Sequence, residues 1–293
     1  MASFEYYRIF YYTAVSGSMT KAASLLHSNQ PNVTRCINSL ENELHTKLFL
    51  RSHYGITLTP QGRELFDYIS PACERIEQGE KNLLLNGAGF NGTISIGVSE
   101  TALRIYLLPK LNQFHKLHKN ISIRLSSHST PDAISQLSSG SVDFALVTTP
   151  LHLMSRMDSY SLVSYRESLI GGNEYKEFSQ KVHHLKDFAD IPFITLEGGT
   201  GSRDFYIQYF MNHHASFRPS IEAATSDQIL PIVRYNLGIG FYPESLASDA
   251  ARRGQICVLP LAESLPERKI CLVTRKISSY NKASDALIEF LER

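Results

Sequence analysis

The chain has 293 residues, of which 43% are hydrophobic and 19% charged, and its formal net charge is +1. The length exceeds one typical domain and the hydrophobic share supports sizeable cores, which excludes a disordered or low-complexity polymer. No apolar run approaches the roughly 20 residues that a membrane-spanning helix needs, so no membrane partner is expected.

The opening stretch, MASFEYYRIF, has no basic segment followed by an apolar one and does not read as a signal peptide. Cys36, Cys73, Cys257 and Cys271 show neither paired spacing nor a secretory context, so a reduced, cytoplasmic setting is expected. Phe4, Tyr7, Phe10, Tyr11 and Ala14 fall on one stripe of a first helix. Ser18 then caps a second, short helix with Ala22, Ala23, Leu25 and Leu26 on its apolar side. His27, Ser28 and Asn29 break the pattern. Asn29 caps a third helix, in which Pro31 is tolerated because first-turn N–H groups lack helical partners anyway. Val33, Ile37, Leu40 and Leu44 give that helix a buried stripe, and Gln30, Asn32, Thr34, Arg35 and Asn38 occupy its other face.

Amides, hydroxyls and a guanidinium are the groups that read base edges and hold phosphates. The spacing therefore predicts a helix-turn-helix that binds double-stranded DNA through Ser18, Thr20, Lys21, Gln30, Asn32, Thr34, Arg35 and Asn38. After Leu48 and Phe49, the turn glycine Gly55 and the alternation Ile56-Thr57-Leu58-Thr59 predict a two-stranded wing with Arg51 and His53 near its tip. Charge supports this division. Residues 1–63 hold six Lys/Arg against three Asp/Glu, net +3, whereas residues 64–90 hold two against five, net −3. The positive field is confined to the winged segment, where phosphates would lie, and is modest enough that paired copies are expected.

Leu58, Gly62, Leu65, Ile69, Ala72, Ile76, Gly79 and Leu83 alternate in steps of four and three, an a/d seam for helix pairing. Leu65, Ile69, Ala72, Ile76 and Leu83 are its expected dimerisation residues, and Pro71 is expected to kink the helix. Three glycines between Asn86 and Gly92 mark a hinge. Beyond it, strands such as TISIGV and VDFALV alternate with helices, which predicts α/β folding with parallel sheet. The double rhythm divides it into two lobes. The expected boundaries are a winged domain at 1–60, a linker helix at 61–86, a hinge at 87–92 and a ligand-binding domain at 93–293. Lobe I takes residues 93–162 and 268–293, and lobe II takes 163–267.

In such sheets, ligands lie at the carboxyl ends of strands, in the crevice between lobes. There the chain places Ser99, Thr101, Ser129, Thr149, Thr200 and Ser202, mostly at helix starts, where hydroxyls and backbone N–H groups hold anions without a fixed cation. A small polar or anionic effector is expected; Glu100 runs against an anion and favours instead a ligand with an amino group. Enzymatic readings find little support. GGTGSR lacks the Gly-Lys-Ser/Thr ending of a phosphate loop, and Ser202 lacks a G-x-S-x-G elbow. The histidine pairs have no completing ligands, so neither metal nor cofactor is expected.

The segment from Phe4 to about Leu65 resembles the LysR-type transcriptional regulators. The likeness lies in Gly17-Ser18-Met19-Thr20-Lys21-Ala22-Ala23, Gln30-Pro31, Leu40-Glu41-x-x-Leu44, Leu48-Phe49-x-Arg51 and Leu58-Thr59-Pro60-x-Gly62. Further on, Leu237-Gly238-Ile239-Gly240-Phe241-Tyr242-Pro243 is similar to that family's Gly-containing strand ending in Pro. The family usually has Gly where His45 stands, and His45 is expected to adopt the left-handed conformation instead. The resemblance implies an N-terminal winged helix-turn-helix, a long linker helix and a two-lobed effector domain like the periplasmic binding proteins. It also implies a homodimer or homotetramer that activates or represses promoters. Two alternatives stay open, a solute-binding receptor and a constitutive architectural DNA binder.

Overall fold

The computed structural model describes residues 3–52, 55–85, 92–276 and 282–292. The chain forms two compact units, Met1–Gly87 and Ala88–Arg293.

The first unit contains α1 (Phe4–Ser16), α2 (Met19–Leu25), α3 (Gln30–Glu43), an antiparallel hairpin of β1 (Phe49–Ser52) and β2 (Gly55–Leu58), and α4 (Pro60–Leu85). Ser18 caps α2 by accepting from the Lys21 N–H, and Asn29 caps α3 by accepting from the Asn32 N–H. Ile9, Phe10, Met19, Ala22, Ala23, Val33, Ile37, Leu40, Leu48 and Phe49 fill one core. Three expected apolar positions are exposed outside it, the first being Phe4, which opens α1 and is 53% exposed. Leu25, the last residue of α2, is exposed because Met19, Ala22 and Ala23 take the inward face. Leu44 is exposed because it caps α3, just before the chain turns away at His45, whose φ of 51° is the expected left-handed conformation.

The α3–wing junction is tightly determined. Glu41, 5% exposed, accepts from the Lys47 ammonium (2.6 Å) and from the N–H groups of Leu48 (2.9 Å) and Phe49 (3.3 Å). Burial works against its charge, but these donors outweigh it and hold the carboxyl below the usual range. Thr59 donates to the Lys47 carbonyl and accepts from the Gly62 N–H, which fixes the start of α4. A Cβ at Gly62 would fall 2.1 Å from the Leu48 carbonyl oxygen, so the wing and α4 meet only where no side chain intervenes.

Helix α4 begins at Pro60, so the winged segment and the linker join one residue earlier than expected, and it continues through Pro71. Leu65 and Ile69 pack against the winged core instead of forming a free seam. Phe66 stacks on Tyr11, and the Tyr12 hydroxyl donates to Glu77 (2.6 Å), which lays α4 along α1. Ala72 and Ile76 remain exposed, Ile76 at 44%. The side chain of Leu83 and residues 86–91, which include most of the expected hinge, lie outside the described residues.

The second unit holds two five-stranded sheets. The first has the order β4 (Ile121–Ser127), β3 (Gly92–Val98), β5 (Phe144–Thr148), β12 (Arg268–Arg275), β6 (Met157–Tyr165). The second has the order β11 (Cys257–Val258), β7 (Glu167–Gly171), β10 (Ile239–Pro243), β8 (Phe193–Leu196), β9 (Pro219–Ala223). Each sheet is mixed, not parallel throughout. β3 runs parallel to β4 and β5, and β8 runs parallel to β9 and β10. The strands next to the crossovers run the other way: β12 is antiparallel to β5 and β6, and β7 is antiparallel to β10 and β11. Residues 163–165 remain paired with β12, so the first crossover falls at Arg166, beyond the expected 162. The return comes at Arg268. Gly238, with φ of 152°, brings the chain against Pro192, whose carbonyl oxygen would lie 2.3 Å from any Cβ there.

Helices follow the parallel strands. After β3, α5 (Glu100–Ala102) runs through a π-helical turn, Leu103–Leu107, into α6 (Leu108–Leu117). After β4 comes α7 (Thr130–Ser139), and after β8 comes α8 (Gly201–Asn212). After β9, the 3-10 turn Ser226–Gln228 leads into α9 (Ile229–Arg234). Helices α10 (Glu244–Arg252) and α11 (Lys282–Glu292) complete the unit.

Candidate functional site

On the first unit, the polar face of α3 is displayed with its side chains already oriented. Gln30, Arg35 and Asn38 are exposed, and Asn32 and Thr34 are half-buried. The Asn32 amide donates to Ser28 (3.1 Å), and its carbonyl accepts from the Arg35 guanidinium (2.9 Å). Thr20 and Lys21 are exposed on α2, and the Thr20 hydroxyl lies 3.5 Å from the Gln30 carbonyl. Seven of the expected DNA residues thus occupy the outer faces of α2 and α3, while Ser18 is engaged as the cap of α2. The side chain of Arg51 and the whole of His53 lie outside the described residues.

In the second unit, the carboxyl ends of the strands converge on a cleft between the lobes with about 440 Å³ of empty space, part of it open to solvent. Lobe I contributes Ser99, Glu100, Thr101, Ser127–Thr130 and Thr148, and lobe II contributes Leu196, Thr200–Ser202 and Ala224–Ser226. Three of the predicted hydroxyls are helix caps. Ser99 accepts from the Ala102 N–H (3.4 Å), Ser129 from the Asp132 N–H (3.3 Å) and Thr200 from the Arg203 N–H (3.2 Å). Thr101 meets Ser226 at 3.3 Å, a hydroxyl pair spanning the two lobes. A second cross-lobe bond runs from the Arg104 guanidinium to the Tyr242 hydroxyl (3.1 Å).

The structure brings together five of the six predicted effector residues. Thr149 is the exception. Its hydroxyl accepts from the Lys269 N–H (2.9 Å), and the neighbouring Thr148 lines the cleft in its place. Sequence reasoning also missed the charge behind the cleft. Arg268, 3% exposed, opens β12 at the return crossover. Its Nη1 donates to both oxygens of Glu167 (3.1 and 3.2 Å) and its Nε to the Thr149 carbonyl (2.8 Å). Its Nη2 donates to the Thr148 hydroxyl (3.2 Å) and to the Ser202 hydroxyl (2.9 Å). Phe205 and Tyr165 flank the guanidinium, and Tyr206 donates to Glu167 (2.9 Å). Burial opposes the charge of Arg268, but the adjacent Glu167 carboxylate outweighs it and keeps the side chain protonated. A fixed cation therefore does stand behind the cleft hydroxyls, against expectation. The sequence signal for it is the phase of RKICLVTR, which puts Arg268 on the same side of the strand as the buried Ile270 and Leu272.

The cleft wall also carries negative charge. Glu100 sits in it, and its carboxyl is pushed up by burial and by the neighbouring Asp227 carboxylate, against a smaller opposing effect of Arg104. Among the described residues no group of His, Cys, Asp and Glu is arranged to hold a metal ion.

Residues 4–63 match the family model described as a bacterial regulatory helix-turn-helix protein of the lysR family. Residues 87–293 match that of the LysR substrate binding domain. The HTH-type transcriptional regulator CzcR of Bacillus subtilis (strain 168) is 29% identical over 268 residues, which cover 91% of this chain and 88% of that protein. The full-length regulator CbnR, solved in complex with its target DNA, shares the fold with a TM-score of 0.75 at 19% identity, covering 99% of both chains. The substrate-binding match alone spans well over half of the sequence. The chain belongs to the LysR family: it is a DNA-binding transcriptional regulator with a C-terminal effector-binding domain, and not an enzyme.

Proposed function

We propose that the exposed polar side of α3, with Thr20 and Lys21 from α2, enters the major groove of promoter DNA, and that Arg51 and His53 reach the adjacent backbone or minor groove. The observation that carries this reading is the pre-oriented Ser28–Asn32–Arg35 chain on an otherwise exposed helix face. A small polar or anionic effector occupies the cleft formed by Ser99, Thr101, Ser129, Thr148, Thr200 and Ser202. It acts through its difference in affinity for two lobe arrangements, and so changes how paired copies present α3 to DNA. Pairing into a homodimer or homotetramer uses the exposed Ala72 and Ile76 of α4. Leu65 and Ile69 are already committed to the winged core and support it from within.

Arg35→Ala tests the interface. If Arg35 holds a phosphate, the substitution flattens the salt dependence of DNA binding by about one unit; if it reads a base, it relaxes discrimination there by roughly 1–3 kcal/mol. Unchanged affinity, salt slope and sequence choice would remove Arg35 from the interface.

A further inference from the structure

The charges around the cleft are arranged as two poles of opposite sign. A guanidinium has donors only, so a hydroxyl touching it must accept and keeps its own proton free. Ser202 accepts from the buried Arg268 at 2.9 Å and lines the cleft, so its proton is available to a ligand as a donor polarised by the cation behind. Arg268 cannot reorient, because Glu167 and the Thr149 carbonyl fix its other nitrogens. It acts through Ser202 as a positioning residue.

The opposite pole lies at the Thr101–Ser226 contact. Glu100 precedes Thr101 on lobe I and Asp227 follows Ser226 on lobe II, so the 3.3 Å hydroxyl pair draws two carboxylates towards one another. Their mutual repulsion, added to burial, is what pushes the Glu100 carboxyl up. Little within the fold relieves it. Arg104 lies 4.0 Å from Glu100 while donating to Tyr242, and Asp227 makes no ion pair or side-chain hydrogen bond among the described residues. A cation placed beside these carboxylates replaces repulsion with attraction.

We infer that the effector is a small ammonium carboxylate, an amino-acid-like zwitterion, with its carboxylate towards Ser202 and Arg268 and its ammonium towards Glu100 and Asp227. This rests on the reading of the cleft as the effector site and names the ligand class that the site takes.

The test titrates full-length protein with short-chain amino acids, each beside its deaminated acid and its decarboxylated amine, by calorimetry and melting temperature. At least one amino acid binds about tenfold or more tightly than both of its singly charged analogues, the effect of one charge-assisted bond. Glu100→Gln abolishes the preference for the amino acid over its deaminated acid. Ser202→Ala weakens both together. A deaminated acid that binds as well as its parent, or a preference that survives Glu100→Gln, overturns the inference while leaving the cleft as the effector site. A wild-type protein that shows no shift with any of these compounds, or with a small-molecule cell extract, overturns both readings.

Discussion

The face of α3 and the interlobe cleft use similar side chains in opposite ways. On α3 the polar groups are exposed or half-buried and are satisfied by near neighbours: Asn32 by Ser28 four residues back, Arg35 by Asn32 three residues back. In the cleft and behind it they are bound by partners from distant parts of the chain: Ser202 by Arg268, 66 residues away, Thr101 by Ser226, 125 away, and, behind the cleft, Glu167 by Arg268, 101 away. The first surface is displayed by a core that does not depend on it. The second is part of what joins the lobes, so changes there alter binding and stability together.

The largest expected effect comes from breaking that junction. Glu167→Ala leaves a fully buried guanidinium without its carboxylate, and denaturant unfolding should register a loss of about 3–5 kcal/mol. A loss within about 0.5 kcal/mol, the size expected at an exposed position, would erase the distinction between the two surfaces. An intermediate effect is expected at Glu41, a buried carboxylate with local partners. Glu41→Gln should destabilise the winged unit by about 1.5–3 kcal/mol, the range for hydrogen bonds to a charged group. The pH dependence follows from the lowered carboxyl. Its contribution is complete above the ordinary carboxylate range and disappears as pH falls through the folded-state value, so the wild type should lose stability on acidification more steeply than Glu41→Gln. Parallel acid profiles would contradict the assignment. The smallest effect belongs to the displayed surface: Arg35→Ala should leave the unfolding free energy within about 0.5 kcal/mol while changing DNA binding.

The same contrast explains what the sequence discloses. The winged unit was legible because its signals are local. The caps at Ser18 and Asn29 and the stripe of Val33, Ile37 and Leu40 depend on neighbours within a turn or two. Periodicity erred at its margins, at Phe4, Leu25 and Leu44, where a helix begins or ends and its face loses its partner. It also could not tell which element a seam residue meets, so Leu65 and Ile69 read as a pairing surface although α1 and the wing cover them. In the second unit the strands and helix starts were legible, and with them Ser99, Thr101, Ser129, Thr200 and Ser202. The strand directions beside the crossovers were not, because sheet order is set by pairings across the chain. Nor was the Arg268–Glu167 pair, since neither residue has a sequence neighbour that demands burial of a charge.

The central claim is that α3 reads a specific duplex under control of the cleft. Its most direct test is binding of purified full-length protein to the DNA upstream of its own gene, against random duplex, near physiological salt, with and without a small-molecule cell extract. The predicted result is a preference of roughly a thousandfold or more for the upstream DNA, altered in strength or footprint by the extract. Equal affinity for both duplexes, with and without the extract, would contradict it.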